Sequence, residues 1–353
     1  AARGPSVMTA RSAARARLGL LVLLLGMTLV ARAEVGLREL SGQPGDGPIT
    51  VFYPTDAPAQ PTVRGPFTLQ VAAGATPVRG NGRLVVLSHG SGGSPWVYAD
   101  FAIRLVHAGF VVALPEHQGD NWHDHTMIGP RSWKRRPLEV SRAIDAVGAD
   151  AQLAPLLALD RVGLWGMSAG GHTALTLAGG RWSPSALREH CNAHLDDDFP
   201  TCVGLALELK GNWADGLKKS VARFFLGFLL DDVQWYGHTD PRIVAIVAEV
   251  PFAVDFDPAS LARPNVPLGL VRNGRDAWLK PIYHVDKVLE ACASCAVVLD
   301  LPTAGHGSLM SPPPADLSGQ VARLLSDPPE FDRAQVPQAH ARITQYFVQH
   351  LLP

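Results

Sequence analysis

A short run around Ser168, from Gly166 to Gly170, has the residue types and spacing best suited to catalysis in this chain. In the pattern G-x-S-x-G the serine sits on a sharp turn from a strand to a helix, and side chains at the glycine positions would collide with neighbouring backbone. The turn also places the N–H of Ala169, at the start of the helix, where negative charge develops during acyl transfer. The pattern is weak alone, but apolar RVGLW precedes it and helix-forming GHTALTLA follows. The alternative is a glycine-rich turn with an incidental serine.

A serine nucleophile needs a base beside it and an acid that holds the base in the right tautomer. In open α/β sheets functional groups gather at the carboxyl ends of strands, so the candidates follow the apolar runs. Asp276 follows PLGLVRNG, and His306 lies between glycines after AVVLDLP. Together with Ser168 they give the order Ser, Asp, His, which is that of the α/β-hydrolase fold.

The identity of the acid stays open at the level of sequence. Asp276 could instead cap the helix that follows it. Other carboxylates at or after the preceding apolar run could reach the histidine, namely Glu249, Asp255 and Asp257.

The loop from His89 to Gly93, after the apolar run RLVVLS, occupies the place where this fold supplies a second oxyanion donor. We assign the donor to the backbone N–H of Ser91, with Gly90 and Gly92 as alternatives. The same glycines also suit a turn that enters the next helix at Ser94 and Pro95.

Three histidines in the run PEHQGDNWHDH suggest a metal cluster at first sight: His117, His123 and His125. They lack a helical H-x-x-x-H register and a second group of ligands, so we interpret them as solvated loop residues and expect no metal and no cofactor. Several aromatic rings could line a substrate pocket, although core packing is the expected place for most of them. They are Trp122, Trp133, Trp278, Phe224, Phe225, Trp235 and Tyr236.

The elements that must position these residues follow from the apolar pattern. VGLREL, ITVFYPT and FTLQVAA alternate and predict an antiparallel start. Six later runs are almost continuously apolar, as in strands buried on both faces: RLVVLS, FVVALP, RVGLWG, RIVAIVAEV, PLGLVRN and AVVLDLP. Helical patterns, including those from Trp96 and Pro137, lie between most of them. This repetition predicts an α/β-hydrolase fold: a mostly parallel sheet with antiparallel N-terminal strands and helices on both faces.

Residues 181–240 interrupt the alternation, because VARFFLGFLLDDVQWYG is apolar and aromatic with no strand after it. An insertion just after the nucleophile helix could fold over the strand ends as a lid or pocket wall, or pack on the core as an extra helix. We therefore expect residues 34–353 to form a single hydrolase domain with a small lid.

The N-terminal region has the layout of a secretory signal peptide. After Met8 come three arginines, the apolar run LGLLVLLLGMTLV and then small residues, so residues 8–33 predict a signal cleaved after Ala33. The apolar run is short for a membrane span, and a retained anchor is the lesser alternative. We expect a secreted or periplasmic protein with no stable membrane insertion once the signal is removed.

Export makes the cysteines interpretable as disulfides, because oxidising compartments allow them. Cys191 and Cys202 bracket an acidic loop, and Cys292 and Cys295 form C-x-x-C, so we predict two local bridges. A redox or metal role for C-x-x-C would need a setting that its surroundings lack. The chain has 31 Lys and Arg against 32 Asp and Glu, and this balance argues against a nucleic-acid partner.

The sequence resembles the α/β hydrolases grouped as predicted dienelactone hydrolases, which are related to the platelet-activating-factor acetylhydrolases. The segments that carry the resemblance are LSHGSGG, the RP at Arg136, LWGMSAGGHTAL, DPRIVAIVAEVPF, VPLGLVRNGRD and AGHGSLMSP. The resemblance implies serine-dependent ester hydrolysis, with the histidine of the AGH segment as base. It also implies that lipid-acting relatives draw their acid from the strand where this chain has Glu249.

Two departures narrow the expected substrate. True dienelactone hydrolases use cysteine where this chain has Ser168, so dienelactone is not expected as substrate. Polyester-degrading relatives have tryptophan before the serine, where this chain has Met167.

The sequence thus predicts a serine carboxylesterase acting on a small-molecule or lipid ester. The alternatives are a lipid or polyester hydrolase that uses the aromatic residues of the insertion, and a hydrolase-fold binding protein that has lost its chemistry.

Overall fold

The structure is a computed structural model that describes residue 1 and residues 34–204, 207–314 and 317–352. The predicted signal peptide, residues 8–33, lies outside the described residues. Among the helices that are described, none combines the length and apolar character needed to cross a bilayer.

Ten strands form the sheet of the described chain. In chain order they are β1 (Glu34–Leu40), β2 (Ile49–Thr55), β3 (Gln60–Arg64), β4 (Phe67–Ala73), β5 (Leu84–Ser88), β6 (Val111–Pro115), β7 (Val162–Met167), β8 (Ile243–Glu249), β9 (Leu268–Asn273) and β10 (Ala296–Leu301). Their order across the sheet is β10-β9-β8-β7-β5-β6-β2-β1-β4-β3. The run from β10 to β6 is parallel throughout.

This architecture confirms the predicted fold class. Strand β5 is buried along its whole length, as expected for a strand covered on both faces. The N-terminal part differs in two details: β3 was not predicted, and β1 pairs with β4 in parallel. Pro61 lowers the strand signal of β3, whose residues are at least partly exposed and so leave little apolar pattern to detect.

Helices cover the sheet. They are α1 (Ala99–His107), α2 (Pro130–Ala149), α3 (Ala169–Leu177), α4 (Pro184–His194), α5 (Phe199–Val203), α6 (Ala214–Leu229), α7 (Pro258–Leu261), α8 (Val285–Ala291), α9 (Gly319–Leu325) and α10 (Val336–Leu351). Short 3-10 helices lie at Pro95–Tyr98, Ala154–Leu156 and Arg333–Gln335. Side chains of α2, α3 and α8 belong to one core cluster, and side chains of α1 and α10 to another.

Helix α2 begins at Pro130, earlier than the predicted start at Pro137. Proline favours the first turn of a helix, and Pro130 takes that position here. Pro137 lies inside the helix, where the preceding turns are anchored by the buried side chains of Trp133 and Arg136.

Both predicted disulfides are present. Cys191–Cys202 joins α4 to α5, and Cys292–Cys295 follows α8. The first bridge therefore closes a loop within residues 181–240, the segment predicted to be a lid.

Candidate active site

Ser168 occupies the turn between β7 and α3 in a backbone conformation that is rare for a residue with a side chain, at φ 58° and ψ −117°. Such a conformation costs about 1–3 kcal/mol and persists only where the surroundings impose it. The Ser168 N–H donates to the Glu249 carbonyl at 3.1 Å. A Cβ on Gly166 would lie 2.0 Å from the Gly170 carbonyl oxygen, and one on Gly170 would lie 1.9 Å from that of Ser88. Both glycines are therefore required by close backbone contacts.

His306 and Asp276 are hydrogen-bonded, with 2.7 Å between His306 Nδ1 and Asp276 Oδ2. Both residues are buried. The other oxygen of Asp276 accepts the backbone N–H groups of Trp278 at 2.8 Å and Leu279 at 2.9 Å. A carboxylate that accepts from Nδ1–H leaves Nε2 unprotonated, which is the tautomer that a general base requires.

The loop that carries Asp276, residues 276–284, is attached to the disulfide-closed segment at residues 191–202. Thr201 Oγ1 donates to the Trp278 carbonyl at 3.2 Å and lies 3.0 Å from His284 Nε2. Lys280 Nζ donates to the Asp197 carbonyl. The loop that carries Asp276 is thus held by residues of the insertion.

The register of the sheet brings Ser168 and the loop that carries Asp276 to the same edge of the sheet. Met167 pairs with Glu249, and Glu249 pairs with Val271 on the next strand. Because these strands are parallel, the turn at Ser168 and the loop that carries Asp276 leave the sheet on one side. Within the described chain no hydrogen bond joins Ser168 Oγ to His306, and such bonds often become short only in the substrate complex.

Within the described part of the chain, none of the alternative acids forms a hydrogen bond or ion pair with His306. Glu249 is buried, and burial, with the Asp276 charge as a lesser cause, raises its pKa to about 8. Asp255 lies 3.1 Å from His172 Nε2. Asp257 caps α7 by accepting the Ala259 N–H. Of the four candidate carboxylates, Asp276 is the one that is hydrogen-bonded to His306.

The predicted oxyanion loop, defined as residues 89–93 and called the oxyanion loop below, lies against Ser168: a Cβ on Gly90 would be 3.4 Å from Ser168 Cβ. The Gly90 N–H donates to the Tyr98 hydroxyl at 3.1 Å, and the Gly92 N–H donates to Asp120 Oδ1 at 3.0 Å. The Ser91 N–H has no acceptor among the described residues. The Ala169 N–H, at the first position of α3, has no intrahelical partner.

Beneath the oxyanion loop lies a buried polar cluster that sequence reasoning missed. The interpretation of His117 as a solvated residue is wrong: it is fully buried, with its ring nitrogens 2.8 Å from Ser88 Oγ and 2.6 Å from Glu139 Oε2. Burial, followed by the nearby Arg136 charge, holds the His117 pKa well below its ordinary value. Arg136 is also fully buried and pairs with Asp120 at 2.8 Å. His123 and His125 are exposed, as predicted.

A sequence signal for Arg136 does exist. It shares one helical face with Trp133 and Val140, three residues before and four after it, and all are buried. A charged residue on the apolar face of a helix indicates a buried partner, because unpaired buried charges are costly.

The aromatic residues of the sequence analysis are not all buried in the core, as most of them were expected to be. Trp133 packs in the core, but α6 and its flanks carry a row of exposed apolar side chains, which we call the α6 apolar face. Its members, with their exposed fractions, are Trp213 90%, Leu217 63%, Val221 40%, Phe224 75%, Phe225 53%, Phe228 74% and Leu229 65%. The prediction that most of these rings pack in the core is therefore wrong for the insertion.

Among the described residues no group of three or more histidine, cysteine or acidic side chains is arranged to hold a metal ion. The chemistry available at this edge of the sheet is that of the serine, the histidine, the aspartate and the two backbone N–H groups.

Comparison with known proteins found one family match and a similar fold. Residues 65–128, which include the oxyanion loop, match the family described as platelet-activating factor acetylhydrolase, isoform II. The fold is similar to that of a ferulic acid esterase from Streptomyces cinnamoneus, with a TM-score of 0.59, 16% sequence identity, and coverage of 92% of this chain and 91% of that one. No curated protein matches the chain in sequence. The predicted resemblance to acetylhydrolase-like α/β hydrolases is confirmed.

Proposed function

We propose that the chain is a serine carboxylesterase in which Ser168 is the nucleophile, His306 the base and Asp276 the acid that orients it. The observation that carries the proposal is the buried His306–Asp276 hydrogen bond at the sheet edge where Ser168 sits on its strained turn. Both comparisons favour an ester hydrolase, and the chemistry requires no cofactor.

The reaction proceeds in two halves. Ser168 Oγ attacks the ester carbonyl carbon while His306 Nε2 takes the hydroxyl proton. The tetrahedral oxyanion accepts hydrogen bonds from the N–H groups of Ser91 and Ala169. The C–O bond to the alcohol then breaks, His306 returns the proton to the alcohol, and an acyl-enzyme remains. Water, activated by the same histidine, attacks the acyl carbon and releases the acid and free Ser168.

Asp276 acts through His306. Its negative charge stabilises the imidazolium that forms during each half-reaction, and its backbone hydrogen bonds fix the direction of the carboxylate. Glu249, with its pKa raised to about 8, is largely protonated at pH 7 and adds little charge to this pair.

We place the enzyme outside the cytoplasm. Two disulfides favour an oxidising compartment. The signal pattern at residues 8–33 points the same way, toward secretion or the periplasm. In this proposal residues 34–353 act as one hydrolase domain with residues 181–240 as its lid.

The test is the Ser168→Ala variant on a short-chain aryl ester. Turnover should fall to background while circular dichroism and the melting temperature match wild type. A fluorophosphonate probe should label wild type and not the variant. A wild-type protein that neither turns over esters nor reacts with the probe would favour a binding protein that has lost its chemistry.

The α6 apolar face favours a second candidate, an esterase that works on lipid or polyester substrates. Monomeric proteins seldom expose so many large apolar side chains on one helix without a use for them. Rates on short-chain, long-chain and polymer esters separate the candidates: a lipid or polyester hydrolase should prefer aggregated substrates over soluble ones.

A further inference from the structure

Two buried side chains, Asp120 and Arg136, hold the oxyanion loop, and we call the pair the loop clamp. Neither residue belongs to the triad. Both side chains are fully buried, and Arg136 Nη2 lies 2.8 Å from Asp120 Oδ2. The clamp joins α2 to the turn after β6, directly beneath residues 89–93.

Asp120 binds the oxyanion loop at Ser91 and Gly92. Its Oδ1 accepts the Ser91 hydroxyl at 2.6 Å and the Gly92 N–H at 3.0 Å. Burial alone would raise the pKa of this carboxyl, but the Arg136 charge and the bonds from Ser91 and Gly92 lower it to about 2. Asp120 is therefore a carboxylate acceptor at every pH at which an esterase is assayed.

Arg136 binds the oxyanion loop at His89 and Gly90. Its guanidinium donates to the carbonyls of His89 and Gly90, the second at 3.4 Å, while Nε donates to Ser132 Oγ at 2.9 Å. His89 Nδ1 lies 2.7 Å from the same Gly90 carbonyl, and the Gly93 N–H donates to it at 3.0 Å. Three nitrogen atoms, from Arg136, His89 and Gly93, thus lie within 3.4 Å of the Gly90 oxygen.

The direction of the Gly90 carbonyl decides the direction of the Ser91 N–H. The two groups belong to one planar trans peptide and point opposite ways. With the carbonyl turned toward Arg136 and His89, the Ser91 N–H must turn away from the clamp. A rotated peptide would remove the donor and present a carbonyl oxygen to the developing negative charge instead.

We propose that Asp120 and Arg136 are positioning residues of the esterase reaction, because they fix the Gly90–Ser91 peptide with its N–H available to the oxyanion. The inference rests on the proposed function. Stability alone is a weak reason for such a pair, since buried ion pairs are often replaceable by apolar residues without loss of stability. Between them the two side chains contact four consecutive loop residues, from His89 to Gly92, and this gives the pair a specific task.

Asp120→Asn tests the clamp. The substitution keeps the size of the side chain but removes the charge that faces Arg136 and weakens the hold on Gly92. Loss of one oxyanion donor costs about 100- to 1,000-fold in kcat, so we expect kcat on a short-chain aryl ester to fall about 100-fold while KM changes less than about threefold. An aryl trifluoromethyl ketone, whose adduct on Ser168 carries the oxyanion, should lose affinity in proportion to kcat/KM.

Ser91→Ala is a second, milder test in case Asp120→Asn does not fold. Ser91 is exposed, so the fold should be kept, and only its hydroxyl bond to Asp120 is lost. We expect a kcat about fivefold lower, the equivalent of one ordinary hydrogen bond. The matched control is Asp240→Asn, which breaks another arginine pair, with Arg242, at the opposite end of β8. The control should lower the melting temperature without changing kcat.

The outcomes separate the two proposals. Folded Asp120→Asn and Ser91→Ala variants with wild-type kcat and wild-type ketone affinity would overturn the clamp and leave the esterase standing. A loss of kcat in Asp240→Asn as large as in Asp120→Asn would also overturn the clamp, because the effect would then follow stability. A wild-type protein with no ester hydrolysis would overturn both proposals.

Discussion

Replacing Asp276 with asparagine tests the acid assignment most sharply, because the structure dictates how the new side chain must sit. The backbone N–H groups of Trp278 and Leu279 both donate to Asp276 Oδ1. In Asp276→Asn the amide oxygen must take that place, since an NH₂ group there would face two donors. The NH₂ group then points at His306 Nδ1, which must give up its proton to accept it. Nε2 becomes the protonated nitrogen and cannot take the Ser168 proton.

The wrong tautomer removes general-base catalysis but leaves the oxyanion donors. In a serine protease triad the same change costs about 10⁴-fold in kcat. Because Asp276 lies in the same relation to its histidine, we expect a fall of about 10³- to 10⁴-fold, which corresponds to about 4–5.5 kcal/mol of transition-state stabilisation. The assay is kcat on a short-chain aryl ester at pH 7, with the rate of fluorophosphonate labelling as an independent measure of Ser168 reactivity.

Glu249→Gln is the matched control, one strand away. It replaces a carboxyl that is largely protonated at pH 7 with a neutral amide of equal size, so kcat should stay within about threefold of wild type. The assignment fails if Asp276→Asn keeps more than a tenth of wild-type kcat, or if Glu249→Gln loses activity to the same degree.

Three further outcomes are expected. The raised pKa of Glu249 means that the folded state keeps a proton that the unfolded state releases above the ordinary pKa of 4.5, so wild type loses stability between about pH 4.5 and pH 8. Glu249→Gln has no such proton, so urea unfolding at pH 5 and pH 8 should show the variant gaining stability relative to wild type at pH 8. An unchanged difference between the two proteins would contradict the buried, protonated carboxyl. Replacing Cys191 and Cys202 by serine removes a bridge between residues 11 apart and should lower the free energy of unfolding by about 3 kcal/mol relative to oxidised wild type. Under reducing conditions the variant and wild type should be equally stable, and an oxidised variant as stable as oxidised wild type would contradict the prediction. Phe224→Ser with Phe228→Ser should leave kcat on a soluble short-chain ester unchanged and reduce the rate on micellar long-chain esters at least about tenfold if the enzyme works at a lipid surface; equal rates on both substrates would remove that candidate.

Much of the fold follows from local pattern. The strands of the parallel run are continuous apolar segments. Gly166 is required by a contact within the turn around Ser168, whereas Gly170 is required by the Ser88 carbonyl oxygen on the neighbouring strand. The polar residues at the ends of the strands could therefore be nominated from the chain alone. Sequence alone left the acid open, because Glu249 ends one apolar strand and Asp276 follows another. The structure adds what the chain alone does not show: Asp276 is hydrogen-bonded to His306 and held by backbone N–H groups of its own loop, which supports the proposal that it is the acid.

The support beneath the site escaped prediction for a different reason. Arg136 meets His89 across 47 positions of sequence, and Ser88 meets His117 across 29. No period of 2 or 3.6 residues encodes such contacts, so His117 was assigned to solvent. The exposed row on α6 escaped as well, because its apolar pattern is the one that ordinarily indicates a buried helix face.

The attachment of the acid loop to the disulfide-closed segment bears on how this enzyme could be redesigned. Thr201 and Asp197 hold residues of the loop that starts at Asp276, whereas the oxyanion loop is held by α2. A graft that exchanges residues 181–240 for those of a relative, in order to change the accepted acyl group, would also release part of the support of the acid. Such a graft should include residues 276–284 as one transferable block. The segment proposed as the lid and the loop that carries the proposed acid would then be inherited together.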